Sequence, residues 1–268
     1  MKKTLVSLLA AAVLLVGFSQ AADARGSGDR ADVLRVGATP VPHAELLDLI
    51  RDDLAQRGVT LQVVVFTDFV TPNMALMFGD IDANFFQHLP YLQSNAEWYA
   101  RLGPVFGVHV EPFGLYSARY NHIDELPHGA SIAIPADPSN GGRALLLLEA
   151  NGLITLRDGA GLLATPADIV SNPRGFVFHP LEAAQLPRAL EDVHAATING
   201  NFALQAGLNP VRDSLIIEDA DSPYVNIVVV QRGNENDPRI LALREALLTP
   251  RVRDFINARY DGGVVPVF

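Results

Sequence analysis

The chain has 268 residues, of which 49% are hydrophobic and 19% charged, a balance that suits one large domain or two lobes and excludes a disordered chain. Acidic residues outnumber basic ones by 30 to 20, so no nucleic-acid surface is expected. Cysteine is absent and the only lysines are Lys2 and Lys3, which excludes thiol chemistry, disulfides and any P-loop or Schiff-base lysine in the body of the chain.

Met1-Lys2-Lys3 is a basic start, TLVSLLAAAVLLVGF an apolar run, and Ala22-Asp23-Ala24 a small-x-small cleavage site. Residues 1–24 therefore read as a signal peptide. The run is shorter than the roughly 20 residues that span a bilayer comfortably, although an uncleaved anchor stays open. Residues 25–32, RGSGDRAD, read as a flexible leader.

Val33–Thr39 is a short β-rich run ending in the turn PVPH. Leu46, Leu47, Ile50 and Leu54 then recur at helical spacing, with Gly58 as a stop. Leu61–Phe66 reads as a second strand and PNMALMFGD as a short helix, followed directly by DANFFQHLPY at Asp82–Tyr91. Further on, SIAIP and FVFHP read as strands, GGRALLLLEANG and EAAQLPRALED as helices, and AATING as strand and loop. SLIIED and YVNIVVVQ are strands, and helices around Arg239–Leu248 and Arg251–Tyr260 close the chain. This alternation predicts a parallel-rich α/β fold. Turn residues beside extended runs in EPFGLYS and DSPYVNIVVV suggest two crossings between lobes. One lobe would hold residues 33–114 and 225–268, the other 115–224, with a ligand cleft between them. A single sheet also remains compatible with the pattern.

No nucleophile elbow, P-loop or GxGxxG turn occurs, and the histidines show neither HxH nor HxxxH spacing. No catalytic residue is expected, and no metal unless distant ligands converge. PADPSNGGRALLLL places cap-type residues, two glycines and Arg143 at a helix start. Such an N-terminus suits an anion, and the Arg143 fork could grip a carboxylate by two parallel bonds. By pattern alone a plain cap with a solvated arginine is the simpler reading. Asn199 in TINGN reads as a turn or a presented amide, and Asn226 inside an apolar strand requires a hydrogen-bond partner, for which a neighbouring backbone group would suffice. Phe86, His88 and Tyr91, with Phe69 of TDFVTPN, could wall a semi-polar pocket. Core packing would explain either phenylalanine alone, but the histidine and tyrosine need polar partners.

In order, VGATPVPHAE, DANFFQHLPYL, the PADPSNGGRALLLLEANG segment, EAAQLPRALEDV, TINGNFALQAGLNP and DSPYVNIVVV resemble the NlpA/MetQ family, the substrate-binding proteins of bacterial methionine ABC importers. The resemblance runs from Val33 to Phe268. It implies an α/β, two-lobed periplasmic-binding-protein fold, type II-like, that closes over its ligand in the cleft between lobes. It also implies no catalysis and no cofactor. The partners would be L-methionine or D-methionine, an importer permease and its ATPase subunit, with the protein itself a monomer. Arg143 would hold the α-carboxylate and Asn199 and Asn226 the polar end of the amino acid. Phe69, Phe86, His88 and Tyr91 would enclose the thioether. Another amino acid, a methionine-containing peptide or another small anion is the alternative ligand.

The chain departs from the family pattern twice. Many members carry a cysteine at the signal cleavage site, and its absence here predicts a periplasmic protein without that lipid anchor. Position 69 is phenylalanine where the family often has tyrosine, which leaves the preference among L-methionine, D-methionine and small methionine peptides open.

Overall fold

The structure is a computed structural model and describes residues 32–219 and 222–268. The expected signal peptide and all but the last residue of the expected leader lie outside the described residues.

Thirteen strands are formed among the described residues: β1 (Val33–Ala38), β2 (Thr60–Val65), β3 (Ala83–His88), β4 (Leu102–Val110), β5 (Gly114–Tyr116), β6 (Ser131–Pro135), β7 (Thr155–Leu156), β8 (Ile169–Ser171), β9 (Val177–Leu181), β10 (Ala195–Ile198), β11 (Ile216–Ile217), β12 (Val225–Gln231) and β13 (Val265–Pro266). They assemble into a six-stranded sheet of order β13-β4-β12-β3-β1-β2, a five-stranded sheet of order β11-β5-β10-β6-β9, and the small β7-β8 pair. The chain leaves the first sheet after β4, builds the second, and returns at β12. It crosses out between β4 and β5, at residues 111–113, and back between β11 and β12.

The parallel-rich expectation holds only in part. β1 is parallel to β2 and β3, and β6 is parallel to β9 and β10. The returning strand β12, however, runs antiparallel to both β3 and β4, so the sheet is mixed. β4 was not foreseen, because Gly103, Pro104 and Gly107 read as strand breakers. Its pairing with β12 shifts register twice, which absorbs them. At Gly107 a Cβ would stand 2.6 Å from Val225 Cγ1, so the close approach of these strands requires glycine.

Other expected elements shorten. The helix after β1 is broken at Ile50 into Glu45–Leu49 and Arg51–Gln56. Of EAAQLPRALED only Leu186–Ala189 is α-helical, after one 3₁₀ turn, and SLIIED contributes only the two residues of β11.

The period-2 geometry of β3 carries the argument from fold to site. The strand is central and buried on both faces. Phe85 points into the core built with Leu34, Val36, Val228, Ile240 and Ile256. Its neighbour Phe86 points the opposite way, among Leu76, Tyr91, Trp98 and Val229, with Phe69 packed alongside. One phenylalanine of the pair is therefore core, and the other faces the space where elements of the two sheets meet.

Candidate functional site

That space is a narrow cavity of about 20 Å³, room for about one water, so a ligand would enter only with some opening of its walls. Phe69, Phe86, His88, Tyr91, Arg143, Asn199 and Asn226, all singled out in the sequence, line it together. Phe86 and His88 come from β3 and Asn226 from β12 of the first sheet. Arg143 lies on the helix Pro138–Ala150 that follows β6, and Asn199 directly follows β10 of the second.

The aromatic wall is continuous. The Phe69 ring centroid lies 5.9 Å from Phe86, 5.8 Å from Tyr91 and 4.8 Å from Phe202. Tyr91 donates its hydroxyl to the Phe69 carbonyl at 2.9 Å, which locks the ring's segment to the helix Leu89–Ser94. Burial raises the Tyr91 phenol far above its ordinary range, so it remains a neutral donor.

His88 caps that same helix. Its Nδ1 accepts the Tyr91 amide at 3.2 Å, which assigns the proton to Nε2, and Nε2 donates to Asn140 Oδ1 at 3.2 Å. Burial, reinforced by the Arg143 charge, lowers its pKa to about 3, so the ring is neutral at any physiological pH.

The helix N-terminus does not face an external anion. Asp137 caps it, accepting the Asn140 amide at 2.9 Å and gripping the Asn140 side-chain nitrogen with both carboxylate oxygens, at 3.0 and 2.9 Å. Asn140 is thereby oriented with its Oδ1 accepting from His88 and, at 2.8 Å, from Asn199 Nδ2.

Arg143 is neither solvated nor open as a fork. It is 3% exposed. Its Nε donates to Glu218 Oε1 at 3.0 Å, and its Nη2 donates to Glu218 Oε2 and, at 3.0 Å, to the Glu111 carbonyl. The guanidinium lies 4.1 Å from the Tyr224 ring centroid and 4.9 Å from that of Phe113. Nη1 bonds to no described residue and is the donor left for the cavity. The two-bond carboxylate grip expected from sequence is thus taken internally by Glu218.

The cavity also contains groups that sequence reasoning did not single out. Glu111, 5% exposed, lines it beside Gly200 and Asn201. Both His109 Nε2, at 3.0 Å, and His43 Nε2, at 3.4 Å, face its Oε1. Burial holds its carboxyl above the usual range, against the opposing influence of His43 and of the Asn201 amide. His43 Nε2 also donates to Asn226 Oδ1 at 3.0 Å, while Thr39 Oγ1 stands 2.7 Å from Nδ1, so the strand amide of Asn226 has its partner in an imidazole. Burial lowers His43 to about 4 and His109 to about 3. Distant ligand-capable atoms do converge here, since those of His43, His109 and Glu111 lie within 4.8 Å of one another. Yet the His109 Nδ1 has no outer partner among the described residues, which a metal-bound imidazole ordinarily keeps. The cluster reads as a hydrogen-bonded cradle for a buried carboxylate.

Two further polar atoms at the cavity, Asn199 Oδ1 and Asn201 Nδ2, are buried without a hydrogen-bond partner among the described residues. An acceptor and a donor left in this state invite a polar ligand. The site therefore offers an apolar aromatic wall at one side. At the other it offers a cationic donor beside an acidic acceptor, the chemistry that suits a zwitterion with an apolar side chain.

Comparison with known proteins finds relatives over most of the chain. Residues 34–268 match the family model described as NlpA lipoprotein. The membrane lipoprotein TpN32 of Treponema pallidum is 46% identical over 235 residues, covering 87% of this chain and 88% of that protein. The D-methionine-binding lipoprotein MetQ of Salmonella typhimurium is 44% identical over 211 residues, 78% of each chain. A nutrient binding protein from Burkholderia cenocepacia, solved bound to methionine, superposes with a TM-score of 0.85 at 39% identity, covering 88% of this chain and all of that one.

These relatives establish a two-lobed periplasmic-binding fold and correct the expected localisation. The absence of cysteine suggested a periplasmic protein without a lipid anchor, but the family and its members are named as lipoproteins, which implies lipid-anchored extracytoplasmic proteins. A missing residue type excludes one acylation chemistry, and localisation does not follow from it.

Proposed function

The chain belongs to the NlpA lipoprotein family, and from that premise we propose that it is an extracytoplasmic substrate-binding protein that captures methionine and delivers it to an ABC importer. The observation that carries this reading is the pairing, within one cavity, of the Phe69–Phe86–Tyr91 wall with a polar end built around Arg143 and Glu111. In our assignment Arg143 Nη1 holds the α-carboxylate. The α-ammonium group goes to Glu111 and to Asn199 Oδ1, and Asn226 and His88 hold the frame around them. The thioether lies against the aromatic rings, each contact worth about 0.3–1.5 kcal/mol.

We assign residues 33–114 and 225–268 to one lobe and 115–224 to the other, with closure of the cleft driven by ligand contacts made from both. Turning a 1:99 open–closed balance into 99:1 takes about 5.5 kcal/mol of differential binding, within the reach of a buried zwitterion and an apolar side chain. We assign no catalytic step, since the acid–base groups at the cavity hold one another in place and no nucleophile is paired with them.

The test is calorimetry on protein unfolded to strip carried-over ligand and then refolded. Saturable one-to-one binding of L- or D-methionine, with leucine much weaker, is the expected result. No heat with either enantiomer from correctly refolded protein would overturn the methionine assignment.

A further inference from the structure

Arg143 is tied at once to both segments that cross between the sheets. From the first crossing it takes the Glu111 carbonyl and the Phe113 ring; from the second it takes the Glu218 carboxylate and the Tyr224 ring. The crossings are also pinned to each other where Glu218 works, because its amide donates to the Phe113 carbonyl at 2.8 Å. Ser222 Oγ, at 3.3 Å from Glu218 Oε2, steadies the carboxylate further.

A guanidinium has five N–H donors in a fixed fork. Glu218 takes the Nε donor and one on Nη2, and the Glu111 carbonyl takes the other on Nη2. Only Nη1 is left toward the cavity. Glu218 also supplies a fixed negative charge that already offsets the arginine, and Glu111 adds a second acid on the cavity wall.

We infer that Glu218 is a positioning residue that makes this site selective for zwitterionic amino acids over simple carboxylate anions. The inference rests on the methionine reading above. A ligand carrying only a carboxylate would bring one more anion against an arginine whose charge is already balanced, in a buried setting where water screens little. A zwitterion brings its own compensating ammonium group and has Glu111 and Asn199 Oδ1 to receive it. Without the Glu218 charge the preference narrows: the bare anion would meet an arginine no longer balanced by its own carboxylate partner, while the ammonium group would keep only Glu111 as its acid.

The experiment compares methionine with 4-(methylthio)butanoate, the same skeleton without the amino group, by calorimetry on wild type, Glu218→Gln and Glu218→Asp. Wild type should strongly prefer methionine. Glu218→Gln should narrow that preference by about tenfold or more, whereas Glu218→Asp, which keeps the charge, should leave it within about threefold. Melting curves check folding, and Glu218→Ser carries the same readout should the glutamine variant fail to fold. A purely structural role would weaken both ligands equally and leave the preference unchanged; that result, or an unchanged preference at full affinity, overturns the inference while leaving methionine binding intact. A wild type that binds neither ligand overturns the methionine reading and this inference with it.

Discussion

His88 Nε2 and Asn140 Oδ1 lie 3.2 Å apart, and their hydrogen bond joins the end of β3 in the six-stranded sheet to the first turn of the helix that follows β6 in the five-stranded one. The same oxygen accepts from Asn199 at 2.8 Å, so one side-chain atom fastens three chain segments around the cavity. Asn140→Ala leaves the His88 and Asn199 donors buried and unpaired, at a cost of about 1–3 kcal/mol each. Methionine affinity should fall by about ten- to a hundredfold in calorimetry. A loss smaller than about threefold would show that this oxygen does not hold the closed site together.

The buried imidazoles predict how stability depends on pH. His43 is lowered to about 4, and His88 and His109 to about 3, by burial. In the unfolded chain each titrates near its ordinary value of about 6.5, so between these limits the unfolded state binds more protons than the native state. Stability is then fully present above about pH 6.5 and is lost as pH falls, by at most about 1.4 kcal/mol per pH unit for each ring. Glu111 has the opposite sign: its raised carboxyl contributes below the ordinary carboxylate range and fades as pH rises, so it offsets a single ring. The melting temperature should be level above about pH 7 and fall steadily from about 6 to 5, a window above the ordinary carboxylate range. A flat profile across that window would mean that the rings are not neutral and buried.

The sequence was legible where chemistry is local and opaque where it is not. FFQH displays two adjacent phenylalanines, and period-2 geometry alone sends Phe85 to the core and Phe86 to the cavity. His88 and Tyr91 required polar partners, and they find them in Asn140 and the Phe69 carbonyl. The partners of Arg143 could not be read in this way. Glu218 lies 75 positions away and nothing in SLIIED marks its carboxylate as the fork's occupant. Glu111 was visible only as part of a turn-rich crossing, because its imidazole neighbours His43 and His109 share no motif spacing with it apart from the adjacent strand end. β4 was hidden by Gly103, Pro104 and Gly107, whose effect on a strand depends on the register shifts of a partner distant in sequence. Asn140 was legible as a cap-type residue, but its cap is supplied by Asp137, which frees its side chain for the cavity.

Gly200 supplies a steric test of the Glu111 assignment. A Cβ built there would stand 2.7 Å from Glu111 Cβ, closer than real contacts allow, and 3.1 Å from its Oε2. Gly200→Ala must therefore push the carboxylate or the helix Gly200–Gln205 aside, at about 1–3 kcal/mol for overpacking. If Glu111 receives the ammonium group, methionine affinity should fall by more than about tenfold. The des-amino analogue 4-(methylthio)butanoate should lose much less. Equal losses for the two ligands would detach Glu111 from ammonium recognition and leave it a structural acid.

The aromatic wall separates two effects that a single truncation would blur. Tyr91→Phe keeps the ring and removes only the hydroxyl that donates to the Phe69 carbonyl at 2.9 Å, a bond worth about 1 kcal/mol. Affinity should fall about fivefold, with discrimination between methionine and leucine unchanged. Phe69→Ala removes a ring that packs against Phe86, Tyr91 and Phe202, and with it the face the thioether would lie on. Methionine should lose about a hundredfold or more, from lost burial and lost sulfur–aromatic contact together. Leucine should lose only the burial share, so the methionine-to-leucine preference narrows. Calorimetric titration of both amino acids into both variants distinguishes the cases. If Phe69→Ala weakens both ligands by the same factor, the wall is a generic apolar surface and the sulfur is recognised elsewhere.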